Sequence, residues 1–112
     1  MNSRTFTIGR YQIRLIKHRN ADTIKRAWNR RSGQRAKRSD IFYGFHAPTS
    51  TAHELHVCAT QTPAQMIDTI AHEAVHIALE ILQQRKREIK IDESDEESLA
   101  EIVGAIVRKM TR

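Results

Sequence analysis

The chain has 112 residues, 39% of them apolar, with 19 Lys plus Arg against 13 Asp plus Glu, six His and a single Cys. That size and balance fit one small soluble domain spanning 1–112 that can bury a modest core without staples. One cysteine excludes an internal disulfide framework and a four-cysteine zinc ribbon, and no apolar run approaches the roughly 20 residues needed to span a bilayer.

The start, Met1 to Gly9, has no apolar h-region, so a cytoplasmic protein with no membrane association is expected. Charge is distributed unevenly. Residues 1–40 hold 12 Lys plus Arg and only Asp22 and Asp40, whereas residues 41–112 hold seven basic and 11 acidic residues. The basic N-terminal part is a candidate surface for nucleic acid or an acidic partner, although it lacks the interleaved aromatics of a single-strand binder.

Phe6, Ile8, Tyr11, Ile13 and Leu15 recur about two apart around Gly9, which predicts one or two strands or a hairpin. Asp22 to Arg31 reads as a short helix with Ile24, Ala27 and Trp28 on one side, and the polar stretch Arg30 to Ser39 as a mobile loop. Ile41 to His46 and His53 to Ala59 read as strands parted by the breaker run Ala47 to Ala52, with Leu55 and Val57 on one face of the second. Thr62-Pro63 is an N-cap and N1 pairing, and Met66, Ile67, Ile70, Ala71, Ala74, Ile77, Ala78, Ile81 and Leu82 then repeat at helical spacing. Ser94 to Met110 reads as a further helix, opened by the capping-box run Ser94-Asp95-Glu96-Glu97 and striped by Leu99, Ile102, Val103, Ile106 and Met110.

Within the first long helix lies His72-Glu73-Ala74-Val75-His76. Residues four apart on a helix are separated by about 40° of rotation and about 6 Å of rise, so both imidazoles point the same way. Rings on successive turns can grip one zinc ion, while Glu73, turned about 100° away, stays off the metal but within reach of a water bound to it. The uncharged flanks Thr69-Ile70-Ala71 and Ile77-Ala78 favour this reading over that of two solvated histidines. A catalytic zinc needs a third protein ligand, and Glu97 and Glu101, which share a helix face, are the candidates.

HEAVH followed after 21 residues by Glu97-Ser98-Leu99-Ala100-Glu101-Ile102-Val103-Gly104 resembles the gluzincin class of zinc metallopeptidases, which includes thermolysin. The resemblance covers about residues 62–110 and is shared with small HExxH proteins of phages and bacteria. It implies an α+β, minimal zincin-like fold: a small N-terminal sheet with a short helix, then the HExxH helix packed on a Glu-bearing C-terminal helix. It implies zinc held by His72, His76 and Glu97, Glu73 as general base, and Glu101 as the acid that orients a ligand imidazole, with Gly104 letting the two helices approach closely.

Other expectations follow. A helix unbroken to Glu88 would end about 18 Å beyond His76, too far for the linker to return Glu97, so the helix is expected to stop near Leu82 to Lys86. The activity implied is hydrolysis of a peptide bond in a protein or peptide, with Glu73 taking the proton of the attacking water and handing it to the leaving amine. An extended substrate would pair with an edge strand, Ile41 to His46 or His53 to Ala59. Thermolysin-type enzymes add a His or Tyr downstream of the Glu helix to stabilise the oxyanion. Here only 15 residues follow Glu97, so that group is expected upstream, with Tyr43 preferred over His46, His53 and His56. His53 and His56, three apart in a strand, should face opposite sides, and Cys58 is expected as a small buried hydrophobe. The alternative function is a binding protein in which zinc is structural and residues 1–40 dock nucleic acid or an acidic partner. A DNA-recruited protease of the SprT type ranks lower, because those enzymes complete the site with a third His and none follows His76.

Overall fold

The structure is a computed structural model that describes residues 2–32, 43–49, 52–85 and 93–111. It is an α+β arrangement in which a four-stranded mixed sheet packs with three helices. In chain order the elements are β1 (Asn2–Ile8), β2 (Tyr11–His18), α1 (Ala21–Ser32), β3 (Gly44–Pro48), β4 (His53–Cys58), α2 (Pro63–Arg85) and α3 (Glu93–Met110). Among the described residues, no helix is long and apolar enough to cross a membrane.

Strands β1 and β2 form the hairpin, with Ile8 opposite Tyr11 and Gly9 at φ 58°. Gly at the first central position of a two-residue loop is the signature of a type II′ turn, whose twist matches that of the strands it joins. The sheet order is β1-β2-β4-β3. β4 runs parallel to β2, and β3 runs antiparallel to β4 at the edge. A parallel neighbour cannot follow through a tight turn, so α1 and β3 occupy the connection between β2 and β4.

Alternation along the strands divides the core into two parts. Ile13, Leu15, Leu55 and Val57 meet Ile70, Ala74, Ile77, Ala78 and Ile81 of α2 and Ile102, Ile106 and Met110 of α3 on one face. Ile24 and Ala27 of α1 meet Phe45, Ala47 and Cys58 on the other, where Trp28 stands edge-on to Phe45 at 5.4 Å. All six residues of β4 are buried, as expected of a strand covered on both faces.

Caps fix the helix starts. Asn20 caps α1, its Oδ1 accepting from the Thr23 amide at 3.0 Å. Thr62 and Gln65 exchange bonds between backbone amide and side chain at 3.0 and 3.2 Å, a reciprocal capping box for α2.

Several boundaries differ from those expected. α1 continues through Arg30 to Ser32, and the remainder of the predicted loop, 33–39, lies outside the described residues. β3 runs from Gly44 to Pro48, so Ala47 and Pro48 belong to a strand rather than a breaker, while 41–42 lie outside the described residues. An edge strand tolerates this proline because its missing N–H is not needed by a neighbour. β4 is interior, which removes it as a substrate edge and leaves β3. α3 begins at Glu93, one residue before the expected cap. Among the described residues, a Cβ at Gly104 would meet only the Arg108 side chain of its own helix, at 3.9 Å, so this glycine does not bring the described helices together. Gly44 has the tight position instead: a Cβ would fall 2.5 Å from Thr69 Cγ2 on α2 and 2.8 Å from the His56 carbonyl oxygen.

Candidate metal centre

Helix α2 is held to the sheet by Ile70, Ala74, Ile77, Ala78 and Ile81, all nearly inaccessible. That anchoring fixes what the rest of the helix presents. His72 and His76 face outward and are exposed, whereas Glu73 is buried at 8% exposure against the edge of the sheet. The two Nε2 atoms stand 3.3 Å apart, with the rings at 69°. Glu73 Oε1 lies 4.0 Å from His72 Nε2.

His46 of β3 completes the cluster. Its ring stacks on that of His76, with centroids 5.1 Å apart and planes at 11°. Nδ1 bonds Glu73 Oε2 and Nε2 bonds Glu80 Oε1, each at 3.1 Å. Ionised carboxylates only accept, so this geometry favours a proton on both nitrogens of the His46 ring. Its pKa is raised accordingly, the Glu73 bond being the main cause, with Glu80 adding to it and burial opposing. His53 Nδ1 approaches Glu80 Oε2 at 3.2 Å, outside hydrogen-bond alignment. One carboxylate of α2 thus faces both β3 and β4.

No family model, curated protein or solved structure matches this chain. The site is therefore judged on its own donors. Two imidazole nitrogens held about 2.0–2.1 Å from a tetrahedral ion are separated by about 3.3–3.4 Å, and the pair of Nε2 atoms has that spacing. The donor set fits a zinc ion to this extent: two imidazole nitrogens at that spacing on one helix face, with the Glu73 carboxylate adjacent.

The other expected residues are placed elsewhere. Glu97 and Glu101 lie on α3, which packs on α2 through Ile102, Ile106 and Met110, but both are exposed and neither is bonded to the pair. Among the described residues, no group of three or more His, Cys, Asp or Glu is arranged to hold a metal ion. Tyr43 is 46% exposed, and its carbonyl oxygen accepts from the Cys58 amide and the Gln61 side chain. Its hydroxyl is bonded to none of the site residues. His46, among the upstream donors weighed beside Tyr43, is the one brought to the histidine pair. His53 and His56 face opposite sides of β4, His53 toward Glu80 and His56 toward His18. Cys58 is buried in the α1-side core, its Sγ 3.0 Å from Thr60 Oγ1.

Glu80 escaped the sequence reading although its signal was present. It follows His76 by four residues, as His76 follows His72, and so continues the same helix face.

Proposed function

We propose that this chain is a zinc-dependent metallopeptidase of minimal zincin-like form that hydrolyses peptide bonds in a protein or peptide. The observation that carries the reading is the 3.3 Å approach of His72 and His76 Nε2 with Glu73 Oε1 beside them. The antiparallel edge strand β3 lying alongside that helix supports it. His72 and His76 would hold the ion, with Glu97 assigned as third ligand. Zinc, when bound, supplies a Lewis acid that brings the pKa of a coordinated water to about 7 and polarises a carbonyl.

The chain's own residues do the rest. Glu73 accepts the proton of the attacking water and delivers it to the leaving amine. His46 is a positioning residue: it clamps Glu73 Oε2 and leaves Oε1 on the side of the histidine pair. The open edge of β3 offers backbone groups to an extended peptide, which sets the substrate beside His46.

Elemental analysis of the purified chain tests the centre. One zinc per chain is expected, lost in His72→Ala and His76→Ala and weakened in Glu97→Ala. Glu73→Gln should keep the zinc and abolish hydrolysis of an unfolded protein substrate. A metal-free wild type, or a Glu73→Gln variant as active as the parent, refutes the proposal. Zinc retained in Glu97→Ala moves the third ligand to His46 or Glu80.

A further inference from the structure

On the sheet face opposite the histidine pair, His18 at the end of β2 and Thr23, Arg26 and Arg30 of α1 line a cleft of about 120 Å³. Positions 23, 26 and 30 are three and four apart and share one helix face. Arg26 and Arg30 are exposed, and neither has a hydrogen-bond or ion-pair partner among the described residues. Arg31, the next residue, is by contrast bound to Glu54 at 2.8 Å.

A second observation comes from the buried side of the cleft. Glu54 accepts from Arg31 and from His56 Nε2 at 3.1 Å, which makes His56 Nδ1 an acceptor when that ring is neutral. His18 Nε2, 2.8 Å away, must then donate to it. His18 is only 2% exposed, and its remaining nitrogen, Nδ1, has no hydrogen-bond partner among the described residues. An orphaned buried polar atom is costly, and this one belongs to a ring that lines the cleft together with Arg26 and Arg30. An oxyanion there pairs with both arginines. Its negative charge also favours a proton on the buried Nδ1.

We propose that His18, Arg26 and Arg30 form a phosphate-binding cleft that seats the backbone of a nucleic acid. The polymer is favoured over a small phosphorylated ligand because a backbone presents a row of phosphates to a basic surface wider than the cleft. Contacts of this kind position a backbone without reading its sequence. Positive charge is not confined to the cleft: Arg19, next to His18 in the chain, is exposed, and residues 1–40 carry 12 basic side chains against two acidic ones. The site shares no residue with the metal centre, so its test is independent of zinc and of hydrolysis.

The measurement is fluorescence anisotropy of labelled duplex and single-stranded oligonucleotides over a salt series. Three proteins are compared: wild type, Arg26→Gln/Arg30→Gln, and the charge-matched Arg108→Gln/Lys109→Gln on the last turn of α3. All substituted side chains are exposed, and circular dichroism verifies the fold. Wild type should bind with an affinity that falls linearly in log salt. The cleft variant should bind about tenfold more weakly, with the slope reduced by about one per lost phosphate contact, while the α3 variant stays close to wild type. Inorganic phosphate should compete with the oligonucleotide for the wild-type protein. Equal losses in the two double variants would reduce the effect to diffuse charge and overturn the site. Absence of oligonucleotide binding, or tighter binding of polyglutamate than of either oligonucleotide, overturns the assignment of a nucleic acid.

Discussion

Replacing Gly44 by Ala tests how β3, and with it His46, is held over α2. A methyl group at this position would stand 2.5 Å from Thr69 Cγ2 and 2.8 Å from the His56 carbonyl oxygen. Thr69 cannot easily turn away, because its hydroxyl is bonded to Gln61 Oε1 at 2.6 Å, and the carbonyl belongs to the interior strand β4. Overpacking of this kind costs about 1–3 kcal/mol, and a chain of this length would lose about 4–8 °C of melting temperature per kcal/mol. Thr69→Ser removes the nearer atom and keeps the hydroxyl. In the Gly44→Ala background it should therefore recover part of the loss, the His56 oxygen accounting for the remainder. A urea-denaturation double-mutant cycle reads both quantities, with a coupling of about 0.5–3 kcal/mol expected for residues in contact. If the single variant stays within about 0.5 kcal/mol of wild type, or the two changes are additive, the close passage of β3 over α2 is wrong. With it would go the positioning of His46 on Glu73.

Acid should weaken the fold through the α1-side network. Burial foremost lowers the His18 pKa from 6.5 to about 4, and burial likewise lowers that of His56. Between those values the unfolded chain binds more protons than the folded one, so this contribution is complete above 6.5 and is lost as pH falls toward about 4. Denaturant midpoints should decline across that window and decline less in His18→Gln; a flat wild-type profile would contradict the burial of neutral rings. Ile77→Ala, at a fully buried position between α2 and the sheet, should cost about 2–5 kcal/mol in chemical denaturation, and a loss below about 1 kcal/mol would misplace the core. Glu54→Ala leaves the buried His56 Nε2 donor unmatched and should cost about 1–3 kcal/mol, little of it recovered by adding a carboxylate on α1.

The cleft and the histidine pair lie on opposite faces of one sheet, and β4 is the physical link between them. Its residues alternate strictly: Leu55 and Val57 pack toward α2, while Glu54, His56 and Cys58 face α1. His56 lies under Phe45, the rings stacked at 4.4 Å, and Phe45 precedes His46 in β3. The strand that carries His46 over Glu73 is therefore seated from below by the network that ends at His18.

Local pattern alone was enough for much of this. The two-residue alternation around Gly9 gave the hairpin, the Thr62-Pro63 start and the apolar repeat gave α2, and the i, i+4 spacing of His72 and His76 placed both rings on one face, because each depends only on backbone geometry over a few residues. Tertiary structure decided what depends on neighbours distant in the chain. β4 became interior because β2 and β3 flank it, Gly44 rather than Gly104 became the tight glycine because β3 crosses Thr69, and His46 rather than Tyr43 reached Glu73 because alternation in the edge strand directs position 46 toward α2. Strand order, close approach and the pairing of buried polar groups are set by packing free energy summed over the whole core, and no local window of sequence contains that sum.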